Sequence, residues 1–454
     1  MKRRLWLFLL AALLVIGCLP AFTSCNAGGA VGISSAEINE KGELVLIHTN
    51  GTEQNLGVVV GKDGADGVDG TNGKDGVDGE DGASGSGSVV ISGAGSNIPA
   101  ASSKGLRSAV SIVCYFESTV QQGGWRPGSG GTTTKEYASG GAGVIYKMDE
   151  AAGDAFIITN YHVVYDASSN TENGISDDIR VYLYGAENEE SAIEATYVGG
   201  SLYYDIAVLR VEDSEELKNS AACAVTVADS DKVAVGDTAI AIGNAQGYGI
   251  SASFGIVSVD SEYITMTAAD GKTTVSIRVL RVDTAINSGN SGGGLYDERG
   301  NLIGIVNAKE VADGVENIGY SIPSNIATSI ADNIIDYCYE KDNERVYRAL
   351  LGITVSAADS RSVYDAETGL ISIEETVSVY EVSEGSLADG VLREGDVFLS
   401  VSVNGIEEKI TRQYHIIDLM LDMRVGDTLT LQMLRDGETV TVEITVTEEC
   451  LTAY

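Results

Sequence analysis

The amino-acid sequence predicts a mainly β protein with more than one folded domain, and three observations carry this prediction. Its 454 residues exceed the length that one hydrophobic core usually serves. From about residue 102 to residue 323, short β-rich runs alternate with Gly, Asn and Asp, which is typical of a β-barrel or a β-sandwich. Residues 347 to 450 combine strands with one amphipathic helix near Tyr414 to Met423, which indicates a separate α+β domain.

An export signal is predicted at residues 1 to 25. Three basic residues precede an apolar run from Leu5 to Ile16, which is too short to span a bilayer comfortably. Cys18 and Cys25 each follow a small residue in a sequence typical of bacterial lipoprotein signals. We therefore expect an exported protein anchored to the membrane through a lipid on Cys18 or Cys25, with plain secretion as the alternative.

Two further elements are expected before residue 102. Residues 26 to 60 predict a small β element, because strand-like runs flank Asn50-Gly51, a pair favoured in hairpin turns. Glycine then recurs at every third position from Gly61 to Gly85, the spacing that a collagen triple helix requires. These triplets lack proline and are rich in Asp, so both a disordered acidic spacer and a short trimeric stalk remain open. A Gly/Ser/Ala linker follows at residues 86 to 101.

The β-rich segment contains six runs that we expect to be strands. They are Ser108 to Phe116, Ala142 to Tyr146, Ala155 to Ile158, Ile179 to Tyr184, Ile206 to Val211 and Thr238 to Ile242. Ser324 is then expected to cap a connecting helix, whose buried face carries Ile326, Ile330, Ile334 and Cys338. In the last segment we expect strands at Gly352 to Val355 and Val397 to Val403, and a hairpin of Leu429 to Leu434 and Thr439 to Val446 around Asp436-Gly437.

Charge and cysteine usage exclude several classes of protein. The formal net charge of −37 repels nucleic acid, so nucleic-acid binding is not expected. Outside the leader, four cysteines are widely spaced and form no pattern typical of a metal site: Cys114, Cys223, Cys338 and Cys450. We expect buried free thiols, with a disulfide between Cys114 and Cys223 as the alternative. No metal ion or cofactor is expected.

The sharpest local pattern is Gly289-Asn290-Ser291-Gly292-Gly293. A nucleophilic serine needs an accessible hydroxyl and backbone N–H groups directed at the developing oxyanion, and flanking glycines permit the tight turn that supplies both. The pattern therefore predicts Ser291 as a nucleophile, with the amides of Gly289 and Ser291 as its oxyanion hole.

Two more residues complete a hydrolytic set. His162 follows the apolar run that begins at Ile157, where we expect the end of a strand, and Asp205 immediately precedes the apolar run from Ile206. In the chain order His, Asp, Ser, these residues match the arrangement of trypsin-like proteases. In that arrangement Ser291 attacks the scissile carbonyl, His162 transfers the proton, and Asp205 fixes the tautomer of the imidazole.

Together with further stretches, this set resembles the HtrA (Deg) family, in which a trypsin-like protease precedes PDZ domains. The matching stretches are Ser139-Gly140-Gly141-Ala142-Gly143-Val144-Ile145, Ala241-Ile242-Gly243-Asn244, Asp283-Thr284-Ala285-Ile286-Asn287 and Gly319-Tyr320-Ser321-Ile322-Pro323-Ser324-Asn325. The resemblance implies a double six-stranded β-barrel at residues 102 to 340, with the three residues in the cleft between the barrels. It also implies a PDZ domain at residues 347 to 450 and a homotrimer formed through the protease domain.

The resemblance also locates candidate binding residues. Ala285, six positions before the serine, stands where Arg/Lys-cutting trypsins carry an acid, so we expect an apolar primary pocket lined by Ile286, with Lys309 at its wall. This pocket predicts cleavage after small or medium aliphatic residues. Leu351-Gly352-Ile353 resembles the loop with which a PDZ domain holds the carboxylate of a peptide C-terminus.

These features predict an exported serine endopeptidase that degrades or processes misfolded proteins. Its expected partners are unfolded polypeptides and the C-termini that the PDZ domain binds. Two alternatives belong to other classes: a chaperone-like binding protein whose protease domain is idle, and a surface adhesin whose collagen-like stalk is the main functional part.

Overall fold

The structure is a computed structural model that describes residues 33–39, 41, 43–58, 97–122, 131–307, 317–341 and 346–453. Internal contacts divide the chain into two compact units, Met1–Ile91 and Ser92–Tyr454. The predicted signal peptide with Cys18 and Cys25, the glycine repeat at 61–85 and Lys309 lie outside the described residues. Within the described residues, no helix is long and apolar enough to cross a membrane.

The first unit contains a three-stranded antiparallel sheet in the order β1-β2-β3. Its strands are β1 (Ile33–Ile38), β2 (Glu43–His48) and β3 (Glu53–Val58). The connection between β2 and β3 contains Gly51 with a φ of 83°, a conformation that glycine adopts without strain. The predicted hairpin across Asn50-Gly51 is therefore present, whereas β1 was not predicted.

The second unit begins with a closed barrel in the order β4-β5-β6-β9-β8-β7. The strands are β4 (Ala109–Gln122), β5 (Gly131–Asp149), β6 (Asp154–Thr159), β7 (Asp178–Leu183), β8 (Ile193–Ser201) and β9 (Ile206–Val211). Strands β4 and β5 are much longer than predicted, because their outer halves form a polar hairpin without the apolar alternation that marks a half-buried strand.

A second closed barrel follows in the order β10-β11-β12-β15-β14-β13. Its strands are β10 (Thr238–Gly243), β11 (Ser251–Thr267), β12 (Thr274–Val282), β13 (Gly294–Tyr296), β14 (Leu302–Asn307) and β15 (Gly319–Pro323). Each barrel thus has six strands, which confirms the predicted double-barrel architecture.

Strand β9 shows how the two barrels share a core. Successive side chains of a strand point to opposite faces. Ala207 and Leu209 point into the first barrel, whereas Ile206 and Val208 belong to the apolar cluster that also contains residues of the second barrel. Both faces of β9 are buried, so Asp205 at its beginning lies at the junction of the barrels.

The α-helices that the structure describes beside the barrels are α1 (Ile98–Leu106), α2 (Tyr161–Val164), α3 (Glu215–Lys218) and α4 (Ser324–Ile334), which continues as a π-helical segment, Ile335–Glu340. Helix α1 begins inside the expected 86–101 linker. His162 lies in α2 and not at the end of a strand.

The predicted helix after the second barrel is α4, and Ile326, Ile330 and Ile334 are buried as expected. Cys338, predicted on the same face, lies in the π-helical continuation and is only partly buried. The predicted cap is wrong. Ser324 is the first helical residue, and its hydroxyl donates to the carbonyl of Ala228 at 2.7 Å instead of accepting an N–H of its own helix.

The C-terminal domain combines an open sheet with one long helix. Its sheet has the order β17-β18-β19-β21-β22, and a short strand, β20, pairs with β19. The elements are β16 (Tyr347–Ala349), β17 (Ile353–Tyr364), β18 (Ile371–Val382), β19 (Val397–Val403), β20 (Ile406–Lys409), α5 (Gln413–Asp422), β21 (Thr428–Arg435), β22 (Glu438–Thr445) and β23 (Leu451–Ala453). Strand β17 is an edge strand, because β18 is its only neighbour on the sheet path.

Helix α5 packs against the second barrel through a buried arginine. The Arg278 side chain on β12 is 1% exposed, and its Nη2 lies 2.8 Å from Oδ1 of Asp231. Its Nε lies 2.8 Å from Oδ2 of Asp418 on α5, and the guanidinium lies 3.9 Å from the centre of the Tyr414 ring. Burial raises the pKa of Asp418 to about 7 against the opposing effect of Arg278. One cation therefore holds two carboxylates and an aromatic ring at this contact.

Candidate active site

His162 and Asp205 lie together because strands β6 and β9 are antiparallel neighbours. Thr159 at the end of β6 pairs with Ala207 near the start of β9, so the segment after β6 meets the segment before β9. Nδ1 of His162 lies 2.6 Å from Oδ2 of Asp205, and the backbone N–H of His162 donates to Oδ1 at 2.9 Å. The carboxylate therefore orients both the ring and the backbone of the histidine.

Asp205 accepts three further hydrogen bonds, from residues that the sequence analysis did not single out. Nδ2 of Asn307 donates to Oδ2 at 3.0 Å. Nδ2 of Asn160 and the backbone N–H of Tyr161 donate to the Asp205 carbonyl at 2.9 Å and 3.1 Å. Asn307 belongs to the second barrel, so both barrels hold the acid. Asn307 directly follows the apolar pair Ile305-Val306, whereas Asn160 follows Thr159 and carries no such sequence signal.

Ser291 lies in the turn before β13 and contacts the first barrel through its own carbonyl, which accepts the N–H of Ala142 at 2.8 Å. Gly292 has a φ of 82°, and a Cβ there would lie 3.0 Å from the backbone nitrogen of Asn160. The serine turn therefore packs on the segment that carries His162. In this structure the Ser291 hydroxyl and the His162 ring are not hydrogen-bonded to each other.

The Ser288-Gly289 turn is held by the loop that follows strand β10. The N–H of Gln246 donates to the carbonyl of Ser288 at 2.7 Å, and a Cβ on Gly289 would lie 2.2 Å from the carbonyl oxygen of Asn244. Among the residues that the structure describes, neither the N–H of Gly289 nor that of Ser291 donates to a protein acceptor. Both amides are therefore available to a negatively charged oxygen.

The predicted pocket residues lie in different environments. Ala285 is exposed, and its carbonyl accepts the hydroxyl of Ser253 at 2.9 Å. Ile286 is 9% exposed and belongs to the apolar core of the second barrel, and a Cβ on Gly319 would lie 2.5 Å from its side chain. With Lys309 outside the described residues, the apolar pocket stays a prediction.

The predicted peptide-binding loop leads into edge strand β17. Leu351 is buried, and its carbonyl accepts the N–H of Ala388 at 3.1 Å. Gly352 has a φ of 76°, and a Cβ there would lie 2.1 Å from Cβ of Ser386. Within the described part of the chain, the amides of Leu351 and Gly352 donate to no protein group. Ile353 begins β17, so the two amides lie at the start of a free sheet edge.

Neither disulfides nor metal clusters occur among the described side chains. Cys114, Cys223, Cys338 and Cys450 are free, so the alternative of a Cys114–Cys223 disulfide is not found. Cys114 is buried, as expected, and the other three are partly exposed. No group of three or more His, Cys, Asp or Glu side chains with a geometry that could hold a metal ion is present in the ranges described.

Comparison with known proteins adds two family matches. Residues 141–305 match the model of the trypsin-like peptidase domain, and residues 349–446 match that of the PDZ domain. The chain is 32% identical over 366 residues to the serine protease Do-like HtrA of Lactococcus lactis, covering 77% of this chain and 82% of that relative.

Two further similarities cover a comparable share of the chain. The chain is 30% identical over 335 residues to the periplasmic serine endoprotease DegP of Escherichia coli, covering 72% of this chain and 61% of that relative. Among solved structures, the HtrA-type protease AlgW with decapeptide is similar, with 25% identity and a TM-score of 0.48 over 77% of this chain and 98% of that one.

Proposed function

The chain belongs to the HtrA family of serine endopeptidases and carries a C-terminal PDZ domain, and on this premise we propose that His162, Asp205 and Ser291 are its catalytic triad. One observation carries the proposal. The Asp205 carboxylate accepts hydrogen bonds from the backbone nitrogen and from Nδ1 of His162, and the turn that carries Ser291 packs on the segment that contains His162.

The chemistry follows from the positions of these groups. With its proton on Nδ1 directed at Asp205, the imidazole leaves Nε2 free to take the proton of the Ser291 hydroxyl. The serine oxygen then bonds to the scissile carbonyl carbon, and the carbonyl oxygen becomes an oxyanion that the amides of Gly289 and Ser291 stabilise. His162 returns the proton to the leaving amine, and a water molecule releases the acyl group by the same steps.

Substrate binding must complete the hydrogen bond between the serine and the imidazole that this structure lacks. The Ser291 hydroxyl has to donate to Nε2 of His162 before it can lose its proton, and such contacts often tighten or align only in the substrate complex. The turn is already tied to the first barrel by the Ala142–Ser291 backbone hydrogen bond. We therefore expect a local adjustment of the Ser291 turn and no rearrangement of the barrels.

We propose that the primary pocket is apolar and accepts small or medium aliphatic residues such as Val, Ala or Ile. Ala285 supplies no charge at the position from which an acid would select Arg or Lys, and Ile286 provides the adjacent apolar surface. Mass spectrometry of products from a peptide library tests this preference. Cleavage mainly after Arg or Lys would reject it.

We propose that the PDZ domain binds the C-termini of unfolded or misfolded polypeptides along β17. The free amides of Leu351 and Gly352 lie where the terminal carboxylate would bind, and the unpaired edge of β17 supplies main-chain groups for an added strand. Ile353 is the first residue of that strand. This mode makes the peptide backbone the main binding element, as suits an enzyme that acts on many proteins.

We further propose that the enzyme works outside the cytoplasm as a lipid-anchored homotrimer. A relative named as periplasmic supports export, and the sequence at Cys18 and Cys25 supports the anchor. Labelling with palmitate tests lipidation, with Cys18→Ser and Cys25→Ser separating the two sites. Light scattering on the soluble part tests the trimer, which a monomeric mass would overturn.

The central experiment compares the degradation of β-casein by the parent enzyme and by Ser291→Ala. We expect the variant to lose activity by about 10⁴-fold or more, because the nucleophile is removed. Asp389→Asn, at an exposed position in the PDZ domain, is the control for expression and purification of a variant, and it should degrade β-casein as the parent does. Unchanged degradation by Ser291→Ala would favour the alternative of a binding protein with an idle protease domain.

A further inference from the structure

We propose that Asn160 is a positioning residue for the reaction, because its side-chain amide holds the Asp205 peptide in the orientation that directs the carboxylate at His162. The proposal rests on the triad proposed above and deepens it. Its starting point is the 2.9 Å hydrogen bond from Nδ2 of Asn160 to the carbonyl oxygen of Asp205.

Asn160 occupies the N-cap position of helix α2 and yet does not cap it. Asparagine is among the best N-cap residues, since its side-chain oxygen normally accepts an N–H of the first helical turn. Here the side chain makes no such bond and is directed at Asp205, 45 residues further along the chain. The side chain is completely buried, so its single hydrogen bond is not exchanged with solvent. The amide therefore supports the acid and not the helix.

The Asp205 backbone needs support because it lies in the left-handed region, with a φ of 55°. Residues other than glycine adopt this conformation at a cost, and they keep it only where surrounding contacts hold them. The Asp205 carbonyl accepts two hydrogen bonds, from the Tyr161 N–H and from Asn160. Of these donors, only the Asn160 amide belongs to a side chain and can be removed by substitution.

The other end of the Asn160 amide shows that stability alone does not explain this residue. Its Oδ1 is buried and has no hydrogen-bond partner among the described residues. A buried amide oxygen without a partner is destabilising. Turning the amide around would place Oδ1 against the Asp205 carbonyl, where two acceptors would repel each other. The orientation is therefore set by Asp205, even though the oxygen stays unsatisfied.

The position of Asn160 also connects the acid with the nucleophile. Its backbone nitrogen would lie 3.0 Å from a Cβ on Gly292, the residue after Ser291. Because the Asn160 segment contacts both the Asp205 carbonyl and the turn that carries Ser291, we expect a change at Asn160 to displace both groups. We expect a defect in the chemical step and not in substrate binding, because none of these contacts lies in the predicted pocket.

The test uses the full chain, with Asn160→Ala and the isosteric Asn160→Asp. Steady-state kinetics on an internally quenched peptide derived from a casein cleavage site should show kcat reduced about 10- to 100-fold, with KM within about twofold of the parent value. The acid limb of the pH–rate profile should move to lower pH in Asn160→Ala, because a misplaced Asp205 carboxylate stabilises the imidazolium less well.

Asn219→Ala is the matched control. Nδ2 of Asn219 also donates to a backbone carbonyl, that of Glu215 at 2.8 Å, but it does so on the surface beside α3. The control should keep the kinetics and the pH profile of the parent. Thermal unfolding of each variant corrects its rate for the fraction of folded enzyme. If Asn160→Ala does not fold, Asn160→Asp decides the question.

Ser291→Ala separates this proposal from the one on which it rests. Full activity of Ser291→Ala would reject the triad and the positioning role together. A second outcome would overturn the role of Asn160 alone. In that outcome Ser291→Ala is inactive, and the folded Asn160 variants keep kcat within twofold of the parent value and an unchanged pH–rate profile. A loss that disappears after correction for folded enzyme, or that lies only in KM, would also overturn it.

Discussion

Arg278 of strand β12 and Asp418 of helix α5 form an ion pair between the protease and PDZ domains, with Nε 2.8 Å from Oδ2. The side chain of Asp418 is 13% exposed and that of Arg278 is 1% exposed, so both charged groups are largely removed from solvent. Because Arg278 also pairs with Asp231, the buried contact contains two carboxylates for one cation.

This surplus of negative charge predicts a pH-dependent stability. Burial raises the pKa of Asp418 from 3.8 to about 7, so the folded protein holds this proton more tightly than the unfolded chain does. The stabilisation from the proton is complete below about pH 4 and is lost as the pH rises through about 7. Asp418→Asn removes this dependence. Between pH 5 and pH 8 the parent should therefore lose at least about 1 kcal/mol of unfolding free energy that Asp418→Asn does not lose.

Urea denaturation at both pH values measures this difference. Glu394→Gln, at an exposed position of the same domain, is the control. Its unfolding free energy should differ from that of the parent by the same amount at both pH values. A constant difference between Asp418→Asn and the parent across the range would contradict the prediction.

Removing the Arg278 guanidinium should lower the unfolding free energy more than removing the Asp418 carboxylate. Arg278→Ala leaves Asp231 and Asp418 without their shared partner in a buried contact, and breaking a buried ion pair in this way costs about 3 to 5 kcal/mol. Arg299→Ala, at an exposed position in the same barrel, should stay within about 0.5 kcal/mol of the parent. Similar unfolding free energies for the two variants would show that the contact contributes little.

Gly289→Ala should lower kcat strongly by displacing the backbone amide of residue 289 from the proposed oxyanion hole. The new methyl group would lie 2.2 Å from the carbonyl oxygen of Asn244, at a φ of 93°. Loss of one oxyanion donor typically lowers kcat about 10²- to 10³-fold. Gly236→Ala has a similar φ of 97° but open space around the new atom, so it should retain activity and lose only about 1 kcal/mol of stability. Equal kcat values for both variants would argue against the assigned hole.

Gly352→Ala should weaken the binding of peptide C-termini to the PDZ domain. Its Cβ would lie 2.1 Å from Cβ of Ser386, so the loop that presents the two free amides has to move. We expect at least about a tenfold rise in Kd, measured by fluorescence anisotropy with a labelled peptide. Gly385→Ala, at φ 75° with no atom within 4 Å, is the control. Parent-like affinity in Gly352→Ala would place the peptide elsewhere.

Cys114 should be the least reactive thiol of the folded enzyme. It is buried, and burial raises the pKa of its thiol to about 12, so almost no thiolate is present at neutral pH. Alkylation with iodoacetamide, followed by peptide mass spectrometry, should label the partly exposed Cys223 and Cys450 before Cys114. Recovery of a linked Cys114–Cys223 peptide without prior reduction would contradict the free thiols of the structure.

Local strand signals predicted a mainly β segment and a separate C-terminal α+β domain, and the family resemblance implied the double barrel. The bounds of β9 and β19 agree with the prediction, since apolar runs such as Ile206–Val211 are marked by their own composition. The outer halves of β4 and β5 were missed because polar residues there pair with each other and not with a core.

The environment of the acid was less predictable, because its contacts join distant parts of the chain. Asn307 lies 102 residues after Asp205, and no periodicity relates the two positions. Arg278 lies within the residue pattern of a strand. Nothing in the sequence around it indicates that helix α5, 140 residues later, buries its side chain. The capping role expected of Ser324 failed for a similar reason, because a distant carbonyl takes its hydroxyl.

The free edge of β17 has a consequence for the solubility of the enzyme. The core strands of each closed barrel pair on both sides, whereas β17 leaves one edge of an open sheet unpaired. β17 is twelve residues long, but its pairing with β18 is interrupted between Ala358 and Arg361, and charged side chains stand at the interruption. Bends and charges of this kind discourage aggregation. The edge can thus stay unpaired without joining molecules of the enzyme into fibres.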